Sequence, residues 1–197
     1  EILGLAADVT VANLEILLSN QGSPHPTKGI IFRCAPENVA GLIYGGIDVV
    51  SLANNHILDY MEPAMIQTQN ILGEAGILHS GAGMNSYEAY LPAFKSVKGQ
   101  TIAFLASSDR TGQYNNYQPY LNAGENKSGF AYLTPYYLKQ QIRAVEGLAD
   151  LVVVEMHAGS EYSYSPGAYY DSYSPPDGFE SLRINPASEI GFVEVPK

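Results

Sequence analysis

The chain has 197 residues and a formal net charge of −10, with 10 Lys and Arg against 20 Asp and Glu. That length suits one domain with a sizeable core, and the acidic balance argues against a nucleic-acid partner, because phosphate backbones are gripped by clustered basic side chains. A single cysteine, Cys34, rules out an internal disulfide or a cysteine-pair zinc site, and no apolar run approaches the roughly 20 residues of a membrane-spanning helix.

The sequence begins at Glu1 and reads as a piece of a longer product. Short apolar runs alternate with helix-like stretches, the pattern of an α/β domain with a largely parallel sheet. Val9 to Leu14 reads as a strand running into Glu15. His25, between Pro24 and Pro26, reads as exposed, and Cys34 as packed, not reactive. Pro36 opens a predicted helix through Tyr44, which Gly45-Gly46 ends before a strand from Ile47 to Leu52.

That strand runs into Asn54-Asn55-His56, with Asp59 three residues later. Glu62 to Ala75 has Met65, Ile66, Ile71 and Leu72 spaced for one buried helix face, with Gly76 as its stop. His79 reads as part of a turn, and Gly81-Ala82-Gly83 is too short for a phosphate-binding fingerprint. A strand over Ile102 to Ala106, an inserted polar loop over Ser107 to Ser128 and a helix over Pro135 to Leu148 follow. Leu151 to Met156 is a strongly apolar strand ending at His157. From residue 160 to 197 the chain is rich in proline and tyrosine and is expected to be mostly irregular, without a second core.

Three predicted strands thus end in residues able to ligate a metal: Glu15, Asn55 with its neighbours, and His157. In a parallel sheet the carboxyl ends share one edge, where ligands of open α/β folds bind. A carboxylate, an amide oxygen and an imidazole together suit zinc, manganese or iron. With Asn55 holding the ion, the adjacent His56 ring stays free to act as an acid. Each residue also has a plainer role, since Glu and Asn cap helices and a lone histidine is often a structural hydrogen-bonding group. Two roles are open to Asp59, orienting His56 or capping the helix near Glu62. Glu161 and Tyr162 follow His157 closely enough to line the same pocket, or form an exposed loop pair.

Val11-Ala12-Asn13-Leu14-Glu15, Ser51 through Asp59, Gly81-Ala82-Gly83 with Glu88-Ala89, and His157-Ala158-Gly159-Ser160-Glu161-Tyr162 resemble, in order and spacing, bacterial capsule and poly-γ-glutamate biosynthesis proteins of the CapA type. The domain of that family is similar to calcineurin-like metallophosphoesterases. The resemblance implies one domain over 1–197 with a layered α/β/β/α sandwich, present here in part. It also implies a centre of divalent metal ions with Glu15, Asn55 and His157 as ligands, for which the donor set suits Mn, Zn or Fe. It implies His56 as the catalytic histidine; from their positions in the sequence, Asp59 is the candidate to aid it, and Asn54, Glu161 and Tyr162 are the candidates to contact an anionic polymer or phosphoester substrate. It further implies a parent on the extracellular face of the bacterial membrane, alongside other capsule-synthesis membrane proteins. The family's opening strand ending in Gly-Asp and its later Gly-x-His-x-His segment are not found, so an incomplete metal site is expected. Met61 stands where the family commonly has glycine.

Overall fold

The computed structural model describes residues 7–109, 121–159, 183–184 and 190–193. The protein is mixed α/β, with its strands distributed over several sheets. Strands β1 (Val11–Asn13), β4 (Val49–Ser51) and β5 (Leu78–Ser80) form a parallel sheet in the order β1-β4-β5. Between the first two lie the short parallel pair β2 (Leu17–Leu18) and β3 (Arg33–Cys34), a 3-10 turn at Pro36–Asn38, and helix α1 (Val39–Tyr44).

A second sheet is built around the parallel pair β8 (Gln100–Ser108) and β10 (Leu151–His157). On one side, β7 (Ala93–Val97) runs antiparallel to β8. On the other side, β12 (Ile190–Val193) runs antiparallel to β10, and β11 (Arg183–Ile184) adds beyond it. The stretch expected to be irregular therefore supplies two strands on one side of this sheet; residues 160–182, 185–189 and 194–197 lie outside the described residues. A small antiparallel pair, β6 (Ala82–Gly83) with β9 (Gly129–Phe130), and the short helix α3 (Ser86–Ala89) complete the connections.

The alternation of side chains along each strand decides how these pieces pack. Val50 faces one cluster with Leu17, Leu18 and the helix α2 (Met61–Glu74) residues Ala64, Met65 and Leu72. Its neighbour Val49 points the other way, into a cluster with Ala93, Phe104 and Val153 of the second sheet. On β8 and β10 the alternate residues Ala103, Leu105, Val152 and Val154 pack against Ile142 and Val145 of helix α4 (Pro135–Val145). Each sheet is thus apolar on both faces, and α2 and α4 cover opposite outer faces. Burying side chains such as Leu72 or Leu105 contributes about 1.5 to 3 kcal/mol each.

Local signals set the element ends. The Thr134 hydroxyl accepts from the Tyr137 N–H at 3.1 Å and Pro135 occupies the first helical turn, so α4 starts there. Gly76, at φ 72°, closes α2 in the left-handed conformation its position predicts. The buried face of α2 is Ala64, Met65, Thr68 and Leu72; Ile66, expected on that face, is instead 39% exposed because it sits one residue past the stripe.

Two histidine expectations also change. His25 is buried despite its flanking prolines, because its backbone N–H donates to the Asp59 carbonyl at 2.8 Å and draws the loop inward. His79 lies within β5, paired with Val50, and not in a turn. Gly81 follows β5 at φ 96°, where an added Cβ would lie 2.6 Å from the Ala53 Cβ and 2.8 Å from the Ala106 Cβ. It lets the ends of the two sheets approach each other. Cys34 is half-buried against the first core, and burial pushes its thiol pKa up, as suits a packed residue. Of the predicted Ser107–Ser128 loop, the first two residues belong to β8, and 110–120 lie outside the described residues. Among the described residues no helix is long and apolar enough to cross a membrane.

Candidate functional site

The carboxyl ends of β1, β4 and β10 meet, bringing residues from both sheets together. Asn13 at the end of β1 pairs in register with Ser51 at the end of β4, and each chain then leaves its sheet. Asn54 sets the geometry of the turn that follows. Its amide nitrogen donates to the Asn13 Oδ1 at 3.1 Å and to the Leu14 carbonyl at 3.0 Å, and its oxygen accepts from the His56 N–H at 3.1 Å. Asn54 is fully buried, so it ties the two strand ends together where contact with substrate was expected.

Asn13 passes this order on, its amide nitrogen donating to the Glu15 Oε2 at 3.3 Å. The other carboxylate oxygen, Oε1, then lies 3.6 Å from the His157 Nε2 and 3.8 Å from the His56 Nε2. The Asn55 Oδ1 is 2.9 Å from the His157 Nε2. Glu15, the neighbours Asn55 and His56, and His157 come from three separate parts of the sequence and share one small region. Glu15 is its open side, with a side chain 41% exposed against 9% and 12% for the two histidines.

His157 is the last residue of β10, and its carbonyl accepts from the Ser108 hydroxyl at 2.9 Å and from the Asp109 N–H at 3.2 Å. These bonds fasten the strand end to β8, fixing the backbone that carries the ring.

Asp59 lies behind His56. Its Oδ2 is 2.6 Å from the His56 Nδ1 and also accepts from the Phe32 N–H at 2.6 Å. The residue before α2 is Tyr60, with no side-chain cap on the helix, so of the two roles open to Asp59 the structure selects orientation of His56. Nδ1–H then donates to Asp59, and Nε2 is the ring nitrogen directed at Glu15.

Sequence reasoning missed the segment that encloses this pair. Lys28 forms an ion pair with Asp59 and donates to the Asn55 carbonyl, and the Phe32 ring lies over His56 with centroids 4.3 Å apart. Burial pushes the Lys28 ammonium pKa down, and the hydrogen bond and charge of Asp59 oppose that shift. Burial, then the Lys28 charge, pushes the His25 imidazole down. The segment seats closely: Gly22, at φ 79°, lies where a Cβ would come within 1.9 Å of the Tyr60 carbonyl oxygen. No local signal in Thr27-Lys28-Gly29 marks Lys28 as buried, since its partners lie 27 and 31 residues away.

The donor set can be tested against a cation. Among the described residues no three His, Cys, Asp or Glu side chains are grouped as an ion site by themselves, so the set needs the Asn55 amide oxygen. With bonds of about 2.1 Å, neighbouring ligand atoms sit roughly 3.0 to 3.4 Å apart in octahedral or tetrahedral sites. The observed separations of 2.9 and 3.6 Å bracket that interval. Those two separations are near ligand spacing, and a carboxylate, an amide oxygen and an imidazole are each ordinary donors to a divalent ion. Without an ion the 2.9 Å contact is a hydrogen bond, with the His157 Nε2–H donating to Asn55. Glu161 and Tyr162 lie outside the described residues.

Comparison with known proteins identifies the family. Residues 3–174 match the family model described as bacterial capsule synthesis protein PGA_cap. The chain belongs to that family. It is 30% identical over 143 residues to the capsule biosynthesis protein CapA of Bacillus anthracis, covering 71% of this chain and 33% of the relative. Identity to the PGA biosynthesis protein CapA of Bacillus subtilis is 28% over 163 residues, covering 82% and 41% respectively. A probable polyglutamine synthesis accessory protein of Mycobacterium tuberculosis is 27% identical over 175 residues, covering 81% and 43%. The chain spans less than half the length of each of these relatives.

Proposed function

We propose that this member of the capsule synthesis family acts in making a capsule or poly-γ-glutamate polymer at the bacterial cell envelope, by metal-dependent hydrolysis of a phosphoester or related bond. The observation that carries the reading is the meeting of the Glu15 Oε1, Asn55 Oδ1 and His157 Nε2 beside the ring of His56. Support also comes from the packing of α2 and α4 on the outer faces of two stacked sheets, an order of layers that resembles the metallophosphoesterase sandwich.

Glu15, Asn55 and His157 would hold the ion, of which Mn, Zn and Fe suit the mixed donor set. Such an ion, when bound, offsets charge on a phosphoryl oxygen and lowers the pKa of water. The chain's own residues supply the rest. Asp59 holds Nδ1 of His56, so the imidazolium presents its Nε2 proton toward the open side and can pass it to a departing oxygen. Phe32 covers one face of the ring and limits water access there. Glu15, the exposed member, marks the side from which an anionic substrate enters.

A second reading is favoured by the word accessory in the mycobacterial relative's name: the same cleft binds an anionic polymer through its cation without cleaving it. The two separate in one experiment. The full-length parent, purified without chelator, is given phosphomonoesters, phosphodiesters and poly-γ-glutamate, and His56→Ala is run beside it. Turnover that falls with the substitution supports hydrolysis. Metal-dependent polymer binding without turnover supports the accessory role, and neither turnover nor binding contradicts both.

A further inference from the structure

We infer that Lys28 is a positioning residue that sets the proposed acid and the proposed amide ligand together, from a single ammonium group. The argument begins with its partners. Lys28 Nζ pairs with the Asp59 Oδ1 and also donates to the Asn55 carbonyl oxygen. Asp59, through its other oxygen, holds the His56 Nδ1 at 2.6 Å. Asn55, through its side chain, faces the His157 Nε2 at 2.9 Å. The ammonium therefore clamps both ends of the turn 55–59, and the two side chains directed into the site are those at or next to the clamped points.

Burial makes the clamp effective. The side chains of Lys28 and Asp59 are 7% and 0% exposed, so water does not compete for their charges. Asp59 accepts from three groups: Lys28 on one oxygen, and the Phe32 N–H and His56 on the other. Its carboxylate plane is thereby fixed, and so is the rotation of the His56 ring. The same segment that brings Lys28 inward places Phe32 on that ring, so one loop carries both the clamp and the cover. The hydrogen bonds of the Lys28 ammonium go to the Asn55 carbonyl and the Asp59 carboxylate, and its charge also acts on Glu15.

The inference rests on the reading of His56 as proton donor and Asn55 as ligand, and it is measured in two ways that separate its failure from failure of that reading. First, imidazole nitrogen NMR of the metal-free chain reports the His56 tautomer and ring order. Lys28→Met should turn a single Nδ1–H species into a mixture, whereas an unchanged single species would overturn the inference. Second, Mn2+ titration should show affinity about 10- to 100-fold weaker in Lys28→Met, the range for residues that orient ligands. Wild-type affinity in that variant would also overturn it. If neither the wild-type chain nor its full-length parent binds Mn2+, the metal reading fails while the NMR comparison still decides the Lys28–Asp59–His56 part.

A general loss of structure is separated by a second pair of variants. Lys28→Met/Asp59→Asn leaves no unpaired buried charge and is compared with Asp59→Asn alone. If Lys28 acts on His56 through Asp59, the added substitution changes the His56 signals no further but still weakens Mn2+ binding through Asn55. Additive effects on the His56 signals would contradict that route.

Discussion

The Asp59 Oδ2 lies 2.6 Å from the His56 Nδ1, behind the ring and out of solvent. The neutral amide of Asn can still accept from Nδ1–H but no longer balances the ammonium of Lys28 or a charged imidazole. Asp59→Asn should therefore lower turnover or ligand affinity about 10- to 100-fold. It should also cost about 3 kcal/mol of stability, because it leaves the buried Lys28 without its counter-charge. Denaturant unfolding and a ligand titration on the same variant check both parts.

Met61 begins α2 with φ 64°, a left-handed backbone that costs a residue with a Cβ about 1 to 2 kcal/mol. The resemblance drawn from the sequence leads to the expectation of a different turn here, yet the turn keeps the conformation glycine favours. Met61→Gly should relieve most of that strain, offset in part by glycine's greater freedom in the unfolded chain. The expected net gain is about 0.5 to 1 kcal/mol, or roughly 2 °C in Tm for a chain of this size. A thermal melt with a lower Tm would show that Met61 packing outweighs the backbone term.

Burial of the His79 imidazole in β5 pushes its pKa below the ordinary 6.5. Below about pH 6.5 the unfolded chain takes up this proton more readily than the folded one, so stability falls as the pH drops toward the folded-state value. Above about pH 6.5 both states are neutral here and the contribution is flat. His79→Gln should make stability less sensitive to acid between about pH 7 and pH 5. Urea unfolding at several pH values gives that slope, and a slope equal to the wild type's would contradict the assignment.

What could be read from the sequence followed local chemistry. Val49-Val50 and Leu151 to Val154 announce strands buried on both faces, and the polar run Asn54-Asn55-His56 is conspicuous because it ends one of them. Asp59 lies only three residues from its partner, so its relation to His56 was one of two legible roles. Lys28, Phe32 and the buried His25 were not legible, because what buries them is a loop folding back on a turn about 30 residues away. The strand Ile190–Val193 was hidden for a related reason. Its four residues sit among prolines, and their pairing to β10 depends on a sheet edge formed about 35 residues earlier in the chain.

The central claim is that Glu15, Asn55 and His157 form one cation site, and calorimetric titration of chelator-treated protein with Mn2+ tests it most directly. The account predicts saturable binding that weakens about 10-fold or more in each of Glu15→Gln, Asn55→Ala and His157→Ala, with the fold intact by circular dichroism. Binding that all three substitutions leave unchanged, or no binding to the wild type or its full-length parent, would contradict it.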